Sequence, residues 1–172
     1  LVYRRPWFNK KRNVGLEFGA LYVKSKEVNI ATAENNQVFY FNPDALQVQR
    51  RRFSATLDFR PKLLIVHRLG LEYHHNNVSD TVGKHLNRDF FGDGKLAQRH
   101  FSLRYLMEYD KRDMKFYPLN GWYIRTELRK NGLYKSDDLR NFRISADVRN
   151  YTSLSKRWSI ESVFKGRVTL PR

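Results

Sequence analysis

The sequence contains no cysteine, so it can build neither a disulfide framework nor a thiolate metal site. It has no run of eighteen apolar residues, which excludes a transmembrane helix. Its opening residues, Leu1 to Trp7, lack an apolar leader core and a start methionine, so the chain reads as mature, processed or part of something longer. Acidic residues are scarce, 17 Asp and Glu against 33 Lys and Arg, which leaves a net charge of +16. The five histidines form no metal signature; adjacent His74 and His75 would point to opposite faces of a strand. There is no Gly-x-Ser-x-Gly elbow, no His-Glu-x-x-His and no phosphate loop. No catalytic role, cofactor or metal is therefore expected.

Aromatics make up 15% of the 172 residues and charged residues 29%, with a mean hydropathy of −0.70. That mixture suits a thin wall with two chemically opposed faces better than a sealed core. Period-two alternation dominates. In Phe101 to Tyr109 the odd positions are apolar, and in Trp122 to Arg129 the even positions are. The pattern recurs in Phe142 to Arg149, Trp158 to Arg167, Phe53 to Arg60, Leu69 to Tyr73 and, more weakly, Leu16 to Tyr22.

This predicts seven strands, at about 14–25, 47–60, 62–75, 98–110, 120–131, 139–151 and 156–169. Each is about twelve residues long, where an ordinary strand has about five or six and a tilted membrane-crossing strand needs roughly nine to eleven. The expected fold is all-β, a transmembrane antiparallel up-and-down β-barrel, of which this chain supplies part. Seven is an odd number with two open edges, so the remaining strands are expected outside this sequence.

Connections alternate in length. Long segments at 26–46, 76–97 and 131–139 are expected outside the cell. Turns at Arg60-Pro61-Lys62, 111–120 and 152–156 are expected on the periplasmic side. Trp7, Phe8, Tyr22, Tyr73, Tyr109, Trp122, Tyr151 and Trp158 lie near strand ends, where an interfacial girdle belongs.

The opposite register carries charge: Arg104 and Glu108; Arg125, Glu127 and Arg129; Arg143, Asp147 and Arg149; Arg157 and Glu161, followed by Lys165 and Arg167. Mixed signs on neighbouring strands can pair across the ladder, so these residues are read as a lumen charge network. The basic excess also suggests nucleic acid, but the aromatics occupy the apolar register and do not interleave with the bases on one face. Arg50-Arg51-Arg52, at the outer start of a strand, suits lipopolysaccharide phosphates better. A lipid bilayer and lipopolysaccharide are the expected partners, and nucleic acid is not.

The segment Tyr109 to Gly121 holds Asp110, Arg112, Asp113, Phe116, Pro118 and Gly121. Pro118 presets φ, Gly121 allows close re-entry into the sheet, and Arg112 can pair with either carboxylate. This arrangement resembles a mid-barrel periplasmic turn of the Omp85 (bacterial surface antigen D15) family, in its BamA/TamA-like form. Tyr3 to Phe8, with Pro6 and Trp7, resembles a second turn of that family. The resemblance implies a bacterial outer-membrane protein that inserts β-barrel proteins or exports cargo, with envelope assembly subunits or barrel cargo as partners. It also implies periplasmic POTRA domains before this segment and a Val-Arg-Gly-aromatic loop after it, and neither lies within these residues. A passive or specific porin-class pore shares every composition feature and lacks only the turn motif. A soluble basic β-sandwich that binds nucleic acid is the remaining alternative.

Overall fold

The computed structural model describes residues 1–92 and 94–171. The chain is all-β, and one antiparallel sheet of eight strands dominates it. Its strands are β1 (Val2–Arg5), β2 (Val14–Ser25), β5 (Val48–Lys62), β6 (Ile65–Val78), β7 (Ala97–Asp110), β8 (Gly121–Asn131), β9 (Asn141–Ser153) and β10 (Ser159–Pro171). Each pairs with the next in the order β1-β2-β5-β6-β7-β8-β9-β10, an up-and-down meander without crossovers. A separate hairpin of β3 (Glu27–Ala33) and β4 (Asn36–Phe41) rises from one end. The eight-stranded sheet is open at β1 and β10.

The register converts the alternation into two faces. Pairs such as Leu71↔Leu103, Tyr105↔Leu128, Leu128↔Ile144 and Ile144↔Val168 place apolar side chains side by side on one face. Leu71, Leu103, Ile144 and Val168 are among the exposed large hydrophobics, with Leu71 46% exposed and Ile144 40%. A water-soluble sheet would have to cover so continuous a band. On the other face Leu106, Ser102, His100 and Glu72 are buried although no second layer covers them. Side chains that crowd one another in this way mark the concave side of a curved wall.

The connections 6–13, Leu63-Leu64, 111–120 and 154–158 lie at one end. Those at 26–47, 79–96 and 132–140 lie at the other, and the first two of these are the longest in the chain.

Four expectations need correcting. Val2–Arg5 is an eighth strand, paired with β2 from Val2↔Gly19 to Arg5↔Leu16; four residues are too few to show a period. Residues 26–46 are not an irregular loop. Glu34 and Asn35, with φ of 50° and 65°, turn the β3–β4 hairpin, and without glycine they gave little turn signal. The turn assigned to Arg60-Pro61-Lys62 is made by Leu63-Leu64 instead. Pro61 sits inside β5 at the register irregularity between Phe59 and Lys62, where its missing N–H breaks no ladder bond. Tyr151 belongs to no outward girdle: it is 8% exposed on the concave face, and its hydroxyl donates to Glu161 Oε1 at 2.8 Å.

The long-loop end has its own apolar core. Val28, Val48, Val78 and Val82 are buried together, with Ile30, Tyr40, Phe90, Phe91 and Leu96 packed against them. The β3–β4 hairpin, a π-helical turn at Thr81–Leu86 and the two strand ends meet there. Asn87 Nδ2 donates to the Ile30 carbonyl at 2.8 Å, and Ser79 Oγ donates to Gln47 Oε1 at 2.6 Å. Two long loops thus fold on each other into a cap, and that anchors the register of β5 and β6 at that end.

Candidate functional site

The concave face gathers its charges around Glu72. This residue sits in β6, opposite Ser102 of β7 and Ser54 of β5. The small neighbours leave room for longer side chains from adjacent rows to reach its carboxylate. His74 Nε2 lies 3.0 Å from Oε2, Arg129 Nη1 3.6 Å from Oε2, and Arg104 Nε 3.7 Å from Oε1. Arg129 also approaches Glu127 at 3.4 Å. His74 stacks on His100, ring centroids 4.7 Å apart, and Ser102 Oγ donates to Asn131 Oδ1 at 2.6 Å. Glu72, one of the most deeply buried charged groups, joins β6, β7 and β8.

The cross-strand register also sets like charges together. Arg104, Arg129 and Arg143 stand directly opposite one another on β7, β8 and β9. Glu72 reaches two of them. Arg143 Nε is buried without a hydrogen-bond partner among the described residues. Like charges opposite one another cost stability unless an anion intervenes, and Glu72 is that anion.

At the short-turn end a second network runs through Tyr123. Arg112 donates to Asp110 through Nε and Nη2, both at 2.8 Å, and its guanidinium lies 4.7 Å from the Tyr123 ring centroid. Arg149 approaches the same ring at 5.7 Å and donates to Asp147 through Nε and Nη2, both at 2.9 Å. Lys165 lies 3.8 Å from Asp147, and Arg149 reaches Glu161 at 4.0 Å. The 111–120 connection is therefore stitched to the wall of β8, β9 and β10. The Asp110 carboxylate holds the Arg112 guanidinium well above its ordinary pKa, against partial desolvation.

Not every residue of the turn takes part. Asp113 does not share Arg112. It accepts the N–H of Met114 at 2.8 Å and of Leu119 at 3.0 Å, which makes it a cap inside the loop. Gly121 has φ +115°, and a Cβ there would collide with the Lys111 carbonyl oxygen. Pro118 lies three residues before it, within the 111–120 connection. Phe116 is fully exposed and touches no scaffold.

Among the other expected residues, Glu108, Arg125 and Asp147 stand opposite one another across β7, β8 and β9. Arg157 is not on the wall at all: it lies in the exposed 154–158 turn, because β10 begins only at Ser159. Pro6 and Trp7 pack at the same end as the 111–120 turn, where the Arg60 guanidinium lies 5.8 Å from the Trp7 ring and Gly15 passes against the Pro6 carbonyl. Sequence reading missed the central place of Glu72, because its cationic partners come from two other strands.

At the long-loop end, Asp138 accepts the Arg99 N–H at 2.8 Å and the Lys95 ammonium at 3.2 Å. The Arg99 N–H, acting against some desolvation, and then Lys95 hold its carboxyl below the ordinary range.

These networks tie strands β6 to β10 and the 111–120 turn to one another. Among the described residues no group of three His, Cys, Asp or Glu side chains is placed to hold a metal ion. If the Asp110–Arg112 pair clamps the turn, Arg112→Ala should lower the stability of the assembled protein by about 1.5–3 kcal/mol, the range for a charge-assisted bidentate bond. The readout is the heat-modifiable, fast-migrating gel band. Whatever assembles should keep normal activity per molecule. Normal assembly with lost activity would show a direct functional role and end the clamp account.

The family model of the Omp85 superfamily domain matches residues 1–171. No curated protein matches the chain.

Proposed function

We propose, from the premise that this chain belongs to the Omp85 superfamily, that it forms wall strands of a bacterial outer-membrane barrel that inserts other β-barrel proteins or exports cargo, in the BamA/TamA-like manner. Members of this superfamily are outer-membrane β-barrel proteins involved in insertion and translocation. The match over residues 1–171 carries the reading. Strands of 11 to 15 residues in the main sheet from β2 onward, with an outward apolar band and a charged concave face, support it. The chain acts without chemistry of its own: its charge networks hold a rigid wall, and barrel-protein cargo, envelope assembly subunits and membrane lipid are its partners.

Depleting the protein in its host separates this role from a porin-class pore. Loss of heat-modifiable forms of unrelated outer-membrane barrels, or loss of an exported cargo, is expected. Slower uptake of small solutes with normal barrel assembly and export would favour the pore.

The long-loop end is read as extracellular and the short-turn end as periplasmic. An epitope inserted at Gly94 should be labelled on intact cells, and one at Lys115 only after the outer membrane is permeabilised. The opposite pattern would invert the topology.

A further inference from the structure

One row on the outward face breaks the apolar band. Tyr22, Arg51, His75 and Arg99 stand opposite one another across β2, β5, β6 and β7. Lys24 lies two residues further out on β2. Lys24 Nζ and the Arg51 guanidinium lie 5.1 Å and 5.4 Å from the Tyr22 ring centroid, so the ring collects both cations. Among the described residues no ion pair engages Lys24, Arg51 or Arg99. Asp138, beside Arg99, accepts the Arg99 backbone N–H and the Lys95 ammonium.

Directly below runs a second row, Ala20, Phe53, Tyr73 and Phe101. Two residues of strand separate the rows, roughly 7 Å. Between the aromatic side chains the small residues Ala20 and Ala55 leave an apolar groove of about 460 Å³, lined also by Phe18, Phe53, Leu71 and Tyr73. Cations at headgroup depth above an apolar groove match a lipid with a phosphorylated head. Lys24 and Arg99 are on strands three spacings apart, about 14 Å. One zwitterionic headgroup cannot neutralise cations spread so widely, whereas a bis-phosphorylated glycolipid can.

We infer that this face of β2, β5, β6 and β7 is a binding site for a bis-phosphorylated, multiply acylated glycolipid of the lipid A class. Its phosphates bind Arg51, Arg99 and Lys24, and one acyl chain fills the groove below. The inference rests on the membrane reading above and adds to it a defined ligand and site.

The test is native mass spectrometry of the protein released from detergent micelles, titrated with hexa-acylated, bis-phosphorylated lipid A. The double variant Arg51→Ala/Arg99→Ala should weaken binding at least tenfold. Arg50→Ala/Arg52→Ala removes the same charge from the opposite face of β5 and should stay within twofold of the native protein. Ala55→Trp fills the groove with a lipid-compatible side chain and should weaken binding about fivefold. Millimolar inorganic phosphate should not compete. Unchanged affinity in the Arg51/Arg99 variant, equal losses in both double variants, no effect of Ala55→Trp, or displacement by phosphate would each overturn the site. A spin label at Ile144→Cys in the same preparations separates the two readings. Access to a lipid-dissolved quencher with unaltered lipid A binding defeats only this site, whereas exposure to an aqueous quencher defeats the membrane reading itself.

Discussion

Replacing Glu72 with glutamine is expected to destabilise the assembled protein by about 2–3 kcal/mol. Breaking a buried ion pair by removing one partner costs about 3–5 kcal/mol, because the other charge is stranded. The value is set lower here because Arg104 and Arg129 keep side-chain exposures of 26% and 22% and can recruit water. The substitution leaves Arg104, Arg129 and Arg143 side by side with no carboxylate reaching the first two from β6. Chemical denaturation of the folded protein in lipid, native against variant, measures the loss. In an Arg129→Gln background the same change should cost about 1 kcal/mol less, since coupled partners are not additive. Full additivity would show that Glu72 does not hold the arginines.

Replacing Ile144 with arginine is expected to cost about 2–4 kcal/mol, the penalty for a charge on the lipid face near mid-bilayer. Ile144 lies on the outward face of β9 between Leu128 of β8 and Val168 of β10, and is 40% exposed. The outward positions of β9 run apolar from Phe142 to Val148, which puts Ile144 near the middle of the band. On the other face of the same strand, Ser145→Arg stays at the charged surface and should cost much less. Equal stability for Ile144→Arg and the native protein in bilayers would mean that this face does not contact hydrocarbon.

The two substitutions probe what was unequally legible in the residues. That Ile144 faces outward follows from the alternation of Phe142 to Arg149 alone, since successive strand side chains point to opposite sides. The same local rule gave the long strands and the alternation of short and long connections. It also placed Gly121 at a close approach, because the Pro-x-x-Gly spacing is contained within one turn. Glu72 was legible only as a same-face neighbour of His74. Its arginine partners come from β7 and β8, separated from it by 32 and 57 positions.

Period-two alternation on each long strand, together with the chemistry of the turns, determined the fold class, the two faces and the seven long strands of the main sheet, but not β1 or the β3–β4 hairpin. Which charges meet was decided by the tertiary structure. A strand shows its inward residues but not their height against the next strand; that stagger is set by turn geometry and by the cap of packed loops around Val28, Val48, Val78 and Val82. Register made Glu72 the anion of an arginine row and aligned Arg51, His75 and Arg99 above the groove. Turn conformation left Arg157 off the wall and turned Asp113 to loop amides instead of Arg112. A one-residue slip at a turn would preserve the pattern within each strand and rearrange the contacts across the pair that the turn joins.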